Sequence, residues 1–130
     1  MQPDAKDLSR LRLEQAEQCL VSSKALLDID DLRGAINRAY YAVFQAMRAV
    51  LALERKDFAK HAGVIAYFRK DYIKTGIFPV EMSDTITELF NGRSEGDYDI
   101  CFTLNKDEVK TALEKAEQFV KMINKYLSSC

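Results

Sequence analysis

Apolar residues recur every three or four positions along most of the chain, which is the period of an α-helix with one buried face. No stretch shows the strict alternation of a half-buried strand. The pattern therefore predicts an all-α fold in which five helices pack as one bundle. The predicted helices are residues 5–28, about 31–54, about 57–73, a fourth that starts between 80 and 83, and a fifth that starts at 105.

The second predicted helix is apolar over about half of its circumference, so we expect it to lie at the centre of the bundle. Its apolar positions are Leu32, Ile36, Ala39, Tyr40, Val43, Met47, Val50 and Leu51. The remaining face carries Asn37, Arg38, Tyr41, Gln45 and Arg48, all within about 100° of one another. Either this face is an ordinary solvated surface, or its arginines bind phosphate oxygens while Asn37 and Tyr41 contact a nucleotide.

Composition narrows the class of protein. The 130 residues fit a single domain spanning 1–130, and the formal charge of −1 argues against a polybasic nucleic-acid arm. Three cysteines without paired spacing predict no disulfide framework, and one histidine makes a metal site unexpected. The chain begins without a signal peptide and has no apolar run long enough for a membrane span. We expect a cytoplasmic protein with no membrane association, no metal and no cofactor.

The predicted fourth helix carries Arg93 on the same stripe as its inward apolar residues. A buried guanidinium needs a partner, and Asp97 is four residues away if the helix continues. Arg93 and Asp97 can therefore form an ion pair at a helix end, or together with Tyr98 they can form a binding site. Glycines at 92 and 96 weaken this part of the helix.

His61 lies near the start of the third predicted helix, on an apolar stripe. Histidine side chains exchange protons near neutral pH, so His61 is a candidate acid or base. The alternative is a hydrogen-bonded histidine of the core.

Three segments resemble consecutive blocks of the HEPN superfamily (higher eukaryotes and prokaryotes nucleotide-binding), in its small stand-alone prokaryotic branch. Residues 37–46, NRAYYAVFQA, are similar to the second helix of that superfamily. Residues 60–68, KHAGVIAYF, with Lys74-Thr75-Gly76, are similar to the next block, and residues 93–98, RSEGDY, to the third.

The resemblance implies an up-and-down four-helix bundle with an additional short helix, often as a homodimer. It also implies a minimal nucleotidyltransferase as partner, in several cases within a toxin–antitoxin pair. Active members are metal-independent ribonucleases with an arginine, four to six further residues and a histidine. Arg93 matches that arginine, and Asn37 or Arg38 matches a polar residue on the preceding long helix.

The motif histidine is absent, because Tyr98 stands at its position. Tyrosine, with an ordinary pKa of about 10, is a poor general base near neutral pH. Three hypotheses remain. The first is a module that binds nucleotide or RNA phosphate, through Asn37, Arg38, Tyr41, Arg48, Arg93 and Asp97. The second is an endoribonuclease that uses Arg93 with Tyr98 or His61, and the third is a structural dimer. An apolar surplus around Tyr67, Tyr72, Ile77 and Phe78 favours a homodimer in each case.

Overall fold

The computed structural model describes residues 4–98 and 105–130, and for residues 91–98 it describes the backbone only. Within these ranges there are five α-helices and no strand. They are α1 (Ala5–Asp28), α2 (Leu32–Leu53), α3 (His61–Phe68), α4 (Glu81–Tyr98) and α5 (Lys106–Ser128), with α3 continuing into a π-helical turn (Arg69–Ile73). The predicted all-α bundle of four long helices and one short helix is confirmed.

Helices α1 and α2 form a closely packed antiparallel hairpin. The Asp31 carboxylate accepts a hydrogen bond from the backbone N–H of Gly34 at 2.9 Å and so caps α2. Along the hairpin, the buried Ser9 hydroxyl donates to the Ala49 carbonyl at 2.7 Å, and the Ser23 hydroxyl donates to the Ala35 carbonyl at 2.6 Å. These two buried hydrogen bonds fix the register between α1 and α2 at both ends of the hairpin.

Helix α2 is the centre of the bundle and contacts the other four helices. All of its predicted apolar positions are buried, except Leu32, which is partly buried. Its alanines are buried as well, at 35, 39, 42, 46, 49 and 52, and small side chains allow the neighbouring backbones to approach. The expectation of a central second helix is therefore confirmed.

Helix α3 begins four residues later than the sequence predicts. Residues Arg55–Lys60 form a loop, in which Arg55 adopts a left-handed backbone conformation with φ of 56°. The Asp57 carboxylate accepts from the backbone N–H of Phe58 and from the guanidinium of Arg48 on α2. The sequence pattern places Asp57 in the first turn of the third helix. In the structure Asp57 lies in the loop instead, because its carboxylate pairs with Arg48 of α2.

The aromatic residues that were expected on an exposed patch are mostly internal. Tyr72 and Phe78 are 5% and 4% exposed, and they pack in one cluster with Phe68, Phe119 and Tyr126. Only Ile77 of the predicted apolar surplus is well exposed, at 47%. This cluster joins the turn after α3 to α5, so it belongs to the core and gives no support to a dimer surface.

Candidate functional site

His61 begins α3 and lies against a set of aromatic rings on α2. Its ring centroid is 4.1 Å from that of Phe44, and the Tyr41 ring meets it edge-on at 6.2 Å. Its Nδ1 atom is 3.1 Å from the hydroxyl of the buried Tyr40, and the tautomer of His61 decides which group donates. The imidazole is partly buried, so its orientation is held by packing and by a hydrogen bond.

Helix α4 approaches the same aromatic group. The Phe90 ring lies 6.1 Å from the Tyr40 ring and is 40% exposed. Arg93 follows Phe90 by three residues on the same helix, which runs to Tyr98. The side chains of Arg93, Asp97 and Tyr98 lie outside the described residues, so the predicted ion pair and the predicted binding site both stay predictions. The structure does bring the helix that carries Arg93 beside the aromatic group that surrounds His61.

A guanidinium clamp holds α4 to the turn after α3. Arg69 donates from Nε to the Ser83 hydroxyl and from Nη2 to the Ser83 carbonyl, both at 3.0 Å. Nη2 also donates to the hydroxyl of Thr87. Because Arg69 opens the π-helical turn, this irregular segment orients an arginine towards α4. No signal in the sequence distinguished Arg69 from other surface arginines.

The predicted polar face of α2 is divided in the structure. Asn37 and Tyr41 are partly buried, and Tyr41 faces His61. Arg38 is exposed and lies by the Cys19 thiol of α1. Burial raises the pKa of Cys19, and Arg38 opposes that shift by its charge and a hydrogen bond. Arg38 therefore faces α1, while Tyr41 faces α3.

Arg48 lies further along α2, with its Cζ 5.8 Å from the centroid of the Phe44 ring. It forms an ion pair with Asp57 at 2.9 Å, and Arg12 of α1 approaches the same carboxylate oxygen at 3.6 Å. Although burial acts in the opposite direction, hydrogen bonds from Arg48 and from the Phe58 backbone hold the pKa of Asp57 below its usual value. Arg12 was not predicted as a site residue, because only the register of α1 on α2 brings it to Arg48.

The described residues offer two kinds of chemistry. An imidazole oriented by a tyrosine hydroxyl can exchange a proton, and aromatic rings beside it can stack on a base. Guanidinium groups can bind phosphate oxygens by charge-assisted hydrogen bonds. Among the described residues, no group of three or more His, Cys, Asp or Glu side chains is arranged to hold a metal ion. In the described part of the chain, none of the helices has the length and apolar character required to cross a membrane.

Comparison with known proteins agrees with this architecture. The model of the HEPN domain matches residues 9–126. A protein of Thermotoga maritima named "UPF0332 protein" is 35% identical over 113 residues, covering 87% of this chain and 86% of that protein. In Methanocaldococcus jannaschii, the protein named "Putative toxin MJ0142" is 34% identical over 124 residues, covering 95% of this chain and 84% of its own. A second protein of that organism, named "Putative toxin MJ0605", is 32% identical, with 95% and 92% coverage.

The described residues form a helical bundle in which a partly buried histidine and several aromatic rings lie between α2, α3 and α4, with Arg48 over one of these rings. The match of the family model covers most of the residues of that bundle. The chain belongs to the HEPN domain family.

Proposed function

We propose that this protein is a HEPN-type module that binds RNA through its phosphates and bases and acts as the toxin-like member of a two-protein system. Its partner in this proposal is a minimal nucleotidyltransferase, and its site of action is the cytoplasm. The observation that carries the proposal is the packing of Tyr40, Tyr41 and Phe44 around His61, with the helix of Arg93 beside them. Two relatives carry names that begin with "Putative toxin", which supports the toxin-like role in this proposal.

The physical basis is the combination of ring faces with fixed positive charge. Base stacking on aromatic side chains contributes about 1–3 kcal/mol per base and tolerates any sequence. Tyr41 is partly accessible and meets His61 at an interplanar angle of 87°, so a base at this seam can contact both rings. Arg93, on the next helix, would supply a phosphate contact of the bidentate kind that lysine cannot make.

A second candidate function is metal-independent RNA cleavage, with His61 rather than Tyr98 in the proton-transfer role. The contact between Tyr40 and Nδ1 of His61 favours it, because a catalytic histidine needs an orienting partner at one nitrogen. Cleavage by His61 with Arg93 requires both to reach one phosphate. A structural dimer without ligand is the remaining alternative.

Binding of fluorescently labelled single-stranded RNA, followed by anisotropy, tests the proposal. Arg93→Ala should leave the melting temperature nearly unchanged and weaken RNA binding about ten- to a hundredfold, as expected for one lost charge-assisted contact. Arg93→Lys should recover only part of the affinity. Arg10→Ala, at an exposed arginine of α1, is the matched control and should bind like the wild type.

The same RNA, incubated with and without EDTA, separates binding from cleavage. Cleavage that persists in EDTA and is lost in His61→Gln, with RNA binding retained, favours the second candidate. A wild-type protein that binds no RNA, combined with a melting temperature that collapses in Arg93→Ala, would contradict the proposal and favour a structural ion pair.

A further inference from the structure

Two arginines from different helices converge on one carboxylate at the end of the α1–α2 hairpin. Nη2 of Arg48 is 2.9 Å and Nη2 of Arg12 is 3.6 Å from the same atom, Oδ2 of Asp57. The arginine side chains are only 23% and 16% exposed, whereas that of Asp57 is 50% exposed. The cluster therefore holds two positive charges and one negative charge, with the negative charge on the most accessible member.

The packing of α1 on α2 brings the two arginines next to each other. The buried hydrogen bond from Ser9 to Ala49 fixes the register of the hairpin. Arg12 follows Ser9 by three residues on α1, and Arg48 precedes Ala49 on α2, so both guanidinium groups emerge at the same level. Burial and the charge of Arg48 lower the pKa of Arg12. The register of the hairpin therefore keeps the positive charges of Arg12 and Arg48 close together, and an anion bound between them reduces their repulsion.

The cluster lies close to His61, and the buried Phe44 ring contacts both. The Phe44 ring lies under Arg48 at 5.8 Å and beside His61 at 4.1 Å, so the guanidinium and the imidazole are at most about 10 Å apart. A ligand that contacts one of these groups can therefore reach the other. Asp57 belongs to the loop between α2 and α3 and is the most exposed member of the cluster.

We propose that Arg12 and Arg48 form a second phosphate subsite and that the Asp57 carboxylate occupies it until a phosphate group replaces that carboxylate. Two guanidinium groups match the several acceptor oxygens of a phosphate better than the single carboxylate oxygen that both now approach. The assignment of this phosphate to an RNA strand rests on the proposed function. The subsite would bind a phosphate neighbouring the one at the His61 surface.

The competing interpretation is an ion-pair cluster that only joins α1, α2 and the loop. The two interpretations predict opposite results for Asp57→Asn. If Asp57 competes with the ligand, its neutralisation should raise the affinity for inorganic phosphate about tenfold, because both guanidinium groups lose their internal acceptor charge. If the cluster is only structural, phosphate affinity should stay at the wild-type level. Asp84→Asn removes the same charge from an exposed position of α4 and is the matched control.

Inorganic phosphate binding is measured by titration while the guanidinium Nε–Hε signals of Arg12 and Arg48 are followed by NMR. In the wild type, both signals should shift with one common dissociation constant, and this measurement remains valid if Asp57→Asn folds poorly. Arg12→Gln combined with Asp57→Asn should remove the gain in affinity. Shifts confined to other arginines, or an unchanged affinity in a folded Asp57→Asn, overturn the subsite.

RNA binding forms the second arm of the experiment. Arg12→Gln and Arg48→Gln should each weaken RNA binding about tenfold, whereas Arg10→Gln should not. Each of the first two variants should also reduce the slope of log K against log salt concentration by the amount expected for about one phosphate contact. If RNA binds to neither the wild type nor Asp57→Asn, the proposed function fails, and the phosphate titration still decides the subsite. If RNA binds and phosphate affinity does not rise in Asp57→Asn, the subsite alone fails.

Discussion

Among individual residues, one carboxylate that follows the last turn of α2 binds two tyrosines of α3 and of the turn after it. Glu54 accepts a hydrogen bond from the hydroxyl of the buried Tyr72 and one from Tyr67 at 3.3 Å. Partial burial, together with hydrogen bonds to Asp71 and Glu54, raises the pKa of Tyr67 to about 12. Burial and the hydrogen bond to Glu54 likewise raise the pKa of Tyr72. Both phenols are therefore held in their protonated form.

These shifts predict a loss of stability at alkaline pH. An unfolded tyrosine loses its proton near pH 10, whereas the folded protein keeps the proton on Tyr67 up to about pH 12. Since the native state then binds more protons than the unfolded state, the free energy of unfolding falls as the pH rises from about 10 to 12. Below pH 10 this contribution is fully present. Urea unfolding at several pH values between about 10 and 12 measures how steeply the free energy of unfolding falls with pH.

Glu54→Gln is the informative variant for this prediction. It removes the charge that both phenols face, so the pKa of each tyrosine should move back towards 10 and the alkaline loss should become smaller. Near neutral pH the same variant should lose about 1 kcal/mol, since a charged acceptor is replaced by a neutral one. Glu88→Gln, whose carboxylate pairs with Lys115, is the control. Equal alkaline slopes in wild type and Glu54→Gln would contradict the assignment.

Individual side-chain contacts were the feature that the sequence predicted least well. Helical periodicity placed Arg38, Tyr41 and Arg48 on one face of α2, and a period alone cannot say which neighbour covers each part of that face. Arg38 turned out to face α1, and Arg48 pairs with a loop residue. The Arg12–Arg48 contact depends on a hydrogen bond between residues 40 positions apart, which no local pattern encodes.

At the scale of elements, the short helix α3 and its preceding loop position His61. Gly63 packs against Phe58 of that loop, and a Cβ atom at residue 63 would lie 2.9 Å from Cβ of Phe58. Phe58 also contacts Tyr67 one turn further along, with ring centroids 5.6 Å apart. The absence of a side chain at Gly63 is therefore what lets the loop lie close to the first turn of α3.

Gly63→Ala should be destabilising, even though alanine is the better helix former by about 1 kcal/mol. The new methyl group has no space beside Cβ of Phe58, so the loop must shift, at a net cost of about 1–2 kcal/mol. Urea denaturation measures this change. The control is Ala25→Gly, at an exposed position inside α1, which should lose about 1 kcal/mol by helix propensity alone. A more stable Gly63→Ala variant would show that the loop accommodates the methyl group.

Helix boundaries were predictable where capping chemistry marks them. Asp31 and Asn105 cap α2 and α5 at the positions where the sequence pattern starts those helices, because a short acceptor side chain there satisfies a backbone N–H of the first turn. The start of α3 was not predictable, since Asp57 has the chemistry of a helix start and is used instead by Arg48 and Arg12. The turn at Arg69–Ile73 adds a π-helical register that apolar spacing does not distinguish from an α-helix.

At the scale of the whole molecule, an overall charge of −1 conceals local concentrations of charge. The cluster at the end of the α1–α2 hairpin holds two arginines and one aspartate. The net charge argues against bulk attraction to nucleic acid, yet it carries no information about such a cluster. Ala62 and Ala66 of α3 and Phe90 of α4 are exposed and line one groove of about 290 Å³.

The expected homodimer remains a prediction, and this groove rather than the Tyr72 cluster is the face we assign to it. Ala62 and Ala66 are exposed one turn apart, so another helix can approach the backbone of α3 there, and Phe90 provides an apolar contact that is 40% exposed.

Ala66→Arg should convert a dimer into a monomer by placing a charge and a long side chain in the contact. Ala25→Arg, at an exposed alanine of α1, makes the same substitution outside the groove and should leave the dimer intact. Sedimentation velocity at micromolar concentration distinguishes the 14.8 kDa monomer from a species of twice that mass. A wild-type protein that sediments only as the monomer would exclude the dimer, and dissociation caused equally by both variants would exclude this groove as its interface.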